Sequence, residues 1–154
     1  MQLFAYLGLI YLFTVAWPLA ITDIRERRLP NRLVLPAIPI TVAGQVLASI
    51  GGATWWQMLI AAIAALITFG LGLLANLRSG LGMGDVKLMT TISLALGWFS
   101  PMAPFVALSL AFVAAGLWLG LKLLVQKANM GSSVALGPYL LVGFAAAAIG
   151  QVMS

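Results

Sequence analysis

Six apolar stretches, each parted from the next by a short polar break, govern what this chain can fold into. They run over Leu3–Thr22, Leu33–Ile50, Gln57–Leu74, Val86–Phe99, Phe105–Leu121 and Val134–Val152. A helix needs about 20 mostly apolar residues to cross a hydrocarbon core, and a bilayer admits only helices and closed barrels. Of the 154 residues, 63% are hydrophobic and 7% charged, where a soluble domain carries roughly 25% charged. The expected fold is all-α: one membrane-embedded domain over residues 1–154, a polytopic bundle of six transmembrane helices. The fourth stretch is the shortest, so it is expected to tilt or to start below the membrane surface. Pro36 and Pro39 fall in the first turns of the second helix, where proline is tolerated, and Pro39 is expected to add a kink. No Lys or Arg precedes the first stretch and no small-residue cleavage site follows it, so it reads as a retained span rather than a signal peptide.

The breaks alternate in charge. Arg25, Arg27, Arg28 and Arg32 flank the first, Arg78 and Lys87 the third, and Lys122 and Lys127 the fifth. The N-terminus, Gly51–Trp56, Ser100–Pro104 and the C-terminus carry no basic side chain. All eight positive residues thus share one side, which the positive-inside rule makes cytoplasmic, with both termini on the opposite side. Trp55, Trp56 and Trp98 are expected as interfacial anchors at the far ends of their spans. The small-residue runs Ala61–Ala65 and Ala145–Ala148 suit close helix–helix approach in lipid.

The chain has no cysteine and no histidine. Thiolate or imidazole zinc sites and Ser-His or Cys-His nucleophiles therefore cannot form, and neither a metal nor another cofactor is expected. What remains is carboxylate chemistry. There are three acids, Asp23, Glu26 and Asp85. Asp23 closes the first span and Asp85 opens the fourth, so parity puts both at the cytoplasmic end. Two carboxyls close enough to share a proton cannot both ionise, and such a pair supplies the base and the acid that amide hydrolysis needs. The competing reading is structural: each aspartate caps a helix or pairs with a neighbouring arginine.

The surrounding residues favour chemistry. Gly80-Leu81-Gly82-Met83-Gly84-Asp85-Val86-Lys87 puts three alternating glycines directly before an acid at a helix mouth, and glycine lets another chain approach closely. After Asp23 the chain reads Ile24-Arg25-Glu26-Arg27-Arg28-Leu29-Pro30-Asn31. Leu29, preceding proline, is biased out of the helical region. Asn31 is expected to cap the next helix, the alternative being a hydrogen bond to an active-site group. Glu26 is expected to pair with an arginine.

At these residues the sequence resembles the type IV prepilin peptidase family. Its members carry one aspartate followed by Ile/Leu-Pro-Asn and a second within Gly-x-Gly-Asp-x-Lys, matched here by Asp23 with Leu29-Pro30-Asn31 and by Gly82-Met83-Gly84-Asp85-Val86-Lys87. Gly137-Pro138-Tyr139 also resembles a Gly-Pro-aromatic segment common in the family. The resemblance implies a membrane aspartic endopeptidase with Asp23 and Asp85 as its catalytic pair and Gly82, Gly84, Lys87, Pro30 and Asn31 as the supporting loops. It also implies a bacterial inner-membrane location and cleavage at the cytoplasmic face. The implied partner is a prepilin or pseudopilin precursor, a short basic leader joined to a hydrophobic helix and cut at the junction. Longer members have an extra cytoplasmic segment with paired cysteines and N-methylate the new terminus. This chain has no cysteine and is similar to the short members of tight-adherence (Flp) pilus systems, or to an isolated catalytic core, so no methyl transfer is expected.

The helix dipole favours an ionised Asp85 at a helix start, whereas Arg25, Arg27 and Arg28 favour an ionised Asp23; the dipole leans toward Asp85 as base and Asp23 as proton carrier and leaves the division open. A cytoplasmic face of net +5 does not attract a basic leader at long range. The arginines are expected to bind anionic membrane lipid, and no nucleic acid is expected as a partner. Two other classes fit less well. A presenilin-like protease would carry Tyr-Asp and Pro-Ala-Leu, whereas Thr22 precedes Asp23 and Pro-Ala-Leu does not occur. A transporter or scaffold would set its polar groups near mid-membrane rather than at the edge.

Overall fold

A computed structural model describes residues 2–26, 29–125 and 135–153. Among them the chain is helical throughout, with short connections. A 3-10 turn, Gln2–Tyr6, leads into α1 (Leu7–Glu26); α2 (Asn31–Val34), α3 (Ala37–Ile50), α4 (Trp55–Ser79), α5 (Met83–Gly97), α6 (Ala103–Val125) and α7 (Gly137–Met153) follow. With α2 and α3 counted as one interrupted rod, these are the six expected helices. Four segments are long and apolar enough to cross a membrane: Leu3–Glu26, Asn31–Ile50, Trp55–Arg78 and Ala103–Lys122. The remaining two rods, α5 and α7, are shorter.

The break in the second rod sits at Pro36 rather than Pro39. Leu35 closes α2 through its N–H to the Asn31 carbonyl (2.9 Å), and Pro36 caps α3. Pro39 falls in the first turn of α3, where its missing N–H costs no helical hydrogen bond. Residue 127, expected at the fifth break, lies outside the described residues, as do residues 27 and 28 and the start of the sixth stretch at Val134.

Helix α5 is short because it is enclosed. It touches α1, α2, α3, α4, α6 and α7, and every residue from Val86 to Gly97 except Lys87 and Thr90 is buried. A helix wrapped in protein does not need the length or the continuous apolar surface of one that faces lipid. Lipid is as apolar as leucine, so close fit and interhelical hydrogen bonds hold such a bundle. Both are present. Gly97 lies against Ala61, where a Cβ would come within 2.9 Å of the Ala61 Cα. Gln45 Nε2 donates to the Leu94 carbonyl (2.8 Å), and the hydroxyls of Thr68 and Ser93 share a hydrogen bond (2.8 Å); such bonds contribute about 0.6 kcal/mol each. The two alanine runs do supply buried contacts, through Ala61, Ala64, Ala65, Ala147 and Ala148.

Trp98 departs from expectation. Trp55 and Trp56 are exposed as anchors should be, but Trp98 is only 6% exposed and packs with Ala5, Ala48 and Ala61. It follows directly on the enclosed helix, so the bundle covers it before lipid can. At that same end, Tyr6 stacks on Phe99 with ring centroids 4.7 Å apart. The opposite end gathers the end of α1 and the starts of α2, α5 and α7, and it holds the acids.

Candidate active site

Helix α1 runs past Thr22 to Glu26, which carries Asp23 within the helix instead of beyond it. Its side chain is 4% exposed. Asp23 Oδ2 accepts a hydrogen bond from the Gly137 backbone N–H at 2.9 Å. Gly137 is the first residue of α7, and its N–H has no partner within its own helix. A Cβ on residue 137 would stand 2.6 Å from Asp23 Oδ2 and 3.0 Å from its Cγ, so glycine is what permits the approach.

The glycines before Asp85 act separately. Gly80 ends α4 in the left-handed conformation (φ 68°), its N–H donating to the Asn76 carbonyl at 3.1 Å, a backbone state that favours glycine. The Asn76 side-chain amide holds the next turn through the Leu81 carbonyl. Gly82, extended (φ −59°, ψ 134°), precedes the first residue of α5, and a Cβ there would lie 3.0 Å from Asp85 Oδ2. A Cβ on Gly84 would lie 2.8 Å from the Leu29 Cβ, so this glycine lets the α5 start seat against the connection that follows α1. Asp85 is therefore the third residue of its helix and not its cap.

Asp85 Oδ1 is buried with no hydrogen-bond partner among the described residues. Burial, and then the negative charge of nearby Asp23, push the Asp85 carboxyl up to about 7. The two acids line one cavity of about 240 Å³ with Leu29, Asn31, Gly82, Met83, Gly84 and Lys87. Both motif segments, far apart in sequence, thus meet at one opening.

Asn31 does not cap. Pro30, extended (φ −69°, ψ 119°), occupies the cap position of α2 without a side-chain bond and accepts the N–H groups of Leu33 (3.0 Å) and Val34 (3.3 Å). The Asn31 side chain instead accepts a hydrogen bond from Lys87 Nζ at 3.0 Å through Oδ1. Glu26 is exposed and forms no ion pair among the described residues; Arg27 and Arg28 lie outside them. The Asp23–Gly137 contact had one sequence signal, the Gly-Pro-aromatic segment, but nothing in it named Asp23 as the partner.

Four apolar helices of membrane-crossing length define a multi-pass membrane protein, and two acids line one of its cavities. The chain belongs to the type IV leader peptidase family, whose family model matches residues 9–120 and so includes both aspartates. It is therefore a protease of the prepilin leader-peptidase kind, acting on prepilin-type substrates. No curated protein and no solved structure matches the chain.

Proposed function

We propose that this chain is an aspartic endopeptidase that removes the short basic leader of type IV pilin-like precursors, with Asp23 and Asp85 as its catalytic pair. The observation that carries the reading is that both carboxyls line one cavity; burial there, and then the charge of Asp23, push the Asp85 carboxyl up to about 7. One acid can then hold a proton at neutral pH while its neighbour stays ionised. The contacts favour the division of labour opposite to the one expected from helix dipoles. A backbone N–H on Asp23 Oδ2 suits a carboxylate, and Asp85, buried and without a donor on Oδ1, suits the neutral acid.

In the mechanism, the Asp23 carboxylate accepts a proton from water as the water oxygen bonds to the scissile carbonyl carbon. Asp85 gives its proton to the amide nitrogen as the C–N bond breaks. A carboxylic acid and an amine leave, and the proton taken up by Asp23 returns to Asp85 to restore the starting state. Gly82 keeps the backbone beside Asp85 bare for a peptide to approach, Gly84 lets the start of α5 seat against Leu29, Lys87 and Asn31 line the cavity, and Pro30 caps the helix that carries Asn31.

The proposed setting is the bacterial inner membrane, with six spans, both termini outside and the site at the cytoplasmic face. Arg25, Arg32, Arg78 and Lys87 stand near the acids' end, and exposed Trp55 and Trp56 begin α4 at the other. The reading extends to the short, non-methylating type associated with tight-adherence pili. Co-expression with a precursor having a basic leader, a glycine and a hydrophobic helix tests it. Leader loss on a gel and an unmethylated new N-terminus by mass spectrometry are expected. An uncut precursor beside normal membrane levels of the protein overturns the reading.

A further inference from the structure

Gly137 lies beyond the segment that the family model matches, and it brings no side chain to the cavity. Its backbone nevertheless makes the one hydrogen bond that Asp23 accepts among the described residues. The donor is well anchored. The N–H groups of Tyr139 and Leu140 both bond the Leu136 carbonyl at 3.1 Å, which fixes the entry into α7. Further along, Phe144 is fully buried against Phe13 of α1, with ring centroids 5.0 Å apart, and Gly143 lies against Ala107 and Ala111 of α6. The direction of the Gly137 N–H is therefore set by the packing of a whole helix. Asp23 sits on a different helix, buried at 4% exposure, and this bond is the hydrogen bond its carboxyl accepts among the described residues.

We infer that Gly137 is a positioning residue: its N–H clamps Asp23 Oδ2, which fixes the carboxylate in one rotamer and leaves Oδ1 as the oxygen turned to the cavity. The inference rests on the reading of Asp23 as a reacting group. Glycine is required there for two reasons. The donor must reach within 2.9 Å, and any Cβ would collide with the carboxylate it serves.

Two changes separate the lost bond from the collision. Gly137→Ala adds a methyl group. Incorporating glycolic acid at position 137 in the full chain replaces the amide N–H with an ester oxygen and adds no side chain. Asp23 and Asp85 are the only aspartates, so in an Asp85→Asn background ¹³C-aspartate labelling reports Asp23 alone. The expected result is a shift of the labelled carboxylate stretch in the infrared with the ester and with Gly137→Ala. Gly143→Ala, which disturbs α7 packing elsewhere, should leave the band in place. With Asp85 present, the ester should lower kcat for precursor cleavage by roughly 10- to 100-fold, the worth of a hydrogen bond to a charged group, with KM little changed.

An unmoved band overturns the contact. A shifted band with unchanged kcat overturns the positioning role. The same losses with Gly143→Ala would assign the effect to helix packing and overturn it too. Cleavage by the unmodified chain is the control, so failure of the peptidase reading shows there, apart from any result at position 137.

Discussion

Lys87 Nζ donates a 3.0 Å hydrogen bond to Asn31 Oδ1 across the mouth of the cavity. It joins the segment after the first aspartate to the segment after the second. The pair is charged at one end only, so the asparagine competes with water for the ammonium, and the clasp contributes about 1 kcal/mol. Asn31→Ala and Lys87→Met are each expected to lower cleavage roughly three- to tenfold, and the double variant to lower it no further than the worse single one. Purely additive losses in this cycle would show that the two side chains act apart.

The carboxyl pair makes the sharpest prediction. Asp23→Asn and Asp85→Asn should each cut kcat by about 10²–10⁴-fold, the usual contribution of one acid or base, with protein levels unchanged. Glu26→Gln should cleave normally. Quantified leader loss from a co-expressed precursor checks all three, and inactivity of the Glu26 variant alone would reassign the pair.

The raised Asp85 carboxyl predicts a pH dependence with a definite sign. Its folded value of about 7 exceeds the ordinary 3.8. Between those values the folded chain holds a proton that the unfolded chain has released, so stability falls as pH rises through that window. Asp85→Asn removes the titration, and its thermal midpoint in detergent should gain on that of the parent chain from about pH 4 to pH 7. Cleavage should decline as pH rises through about 7, where the acid is lost, with the apparent value belonging to the pair. A midpoint difference that is flat with pH would place the Asp85 carboxyl in water.

Gly84 meets Leu29 with no room to spare. Gly84→Val should destabilise the fold by about 1–3 kcal/mol, the range for overpacking, whereas Gly70→Ala, in open space on α4, should be almost neutral. Unfolding curves in one detergent compare the two directly.

Enclosure of α5 predicts a contrast between two similar truncations. Ile92→Ala, at a fully buried site, should cost about 2–5 kcal/mol. Leu117→Ala, at an α6 residue that is itself 71% exposed, should cost about 0.5 kcal/mol or less. Equal losses would contradict the central placement of α5.

Much of this was legible in the sequence because it depends on local pattern. Apolar run length gave the six rods, and parity put Asp23 and Asp85 at one end. What sequence could not supply were relationships set by packing. The Gly137 contact to Asp23 spans 114 positions, and the Lys87 contact to Asn31 spans 56; neither partner is marked by spacing. Asn31 reads as a cap because caps are local, and a longer-range bond to Lys87 took its side chain instead. Trp98 reads as an anchor because it ends an apolar stretch, and the neighbouring helices covered it. The division of roles between the two acids depends on burial and on contacts such as the Gly137 N–H, which the helix-dipole argument does not include.

Because α5 is hemmed in on every side, Asp85 rides on the part of the molecule least able to shift. The outer rods stand around it. Asp23 and the glycine that holds it both sit on such rods. The separation of the two carboxyls is therefore set by how α1 and α7 lean on a shared central post.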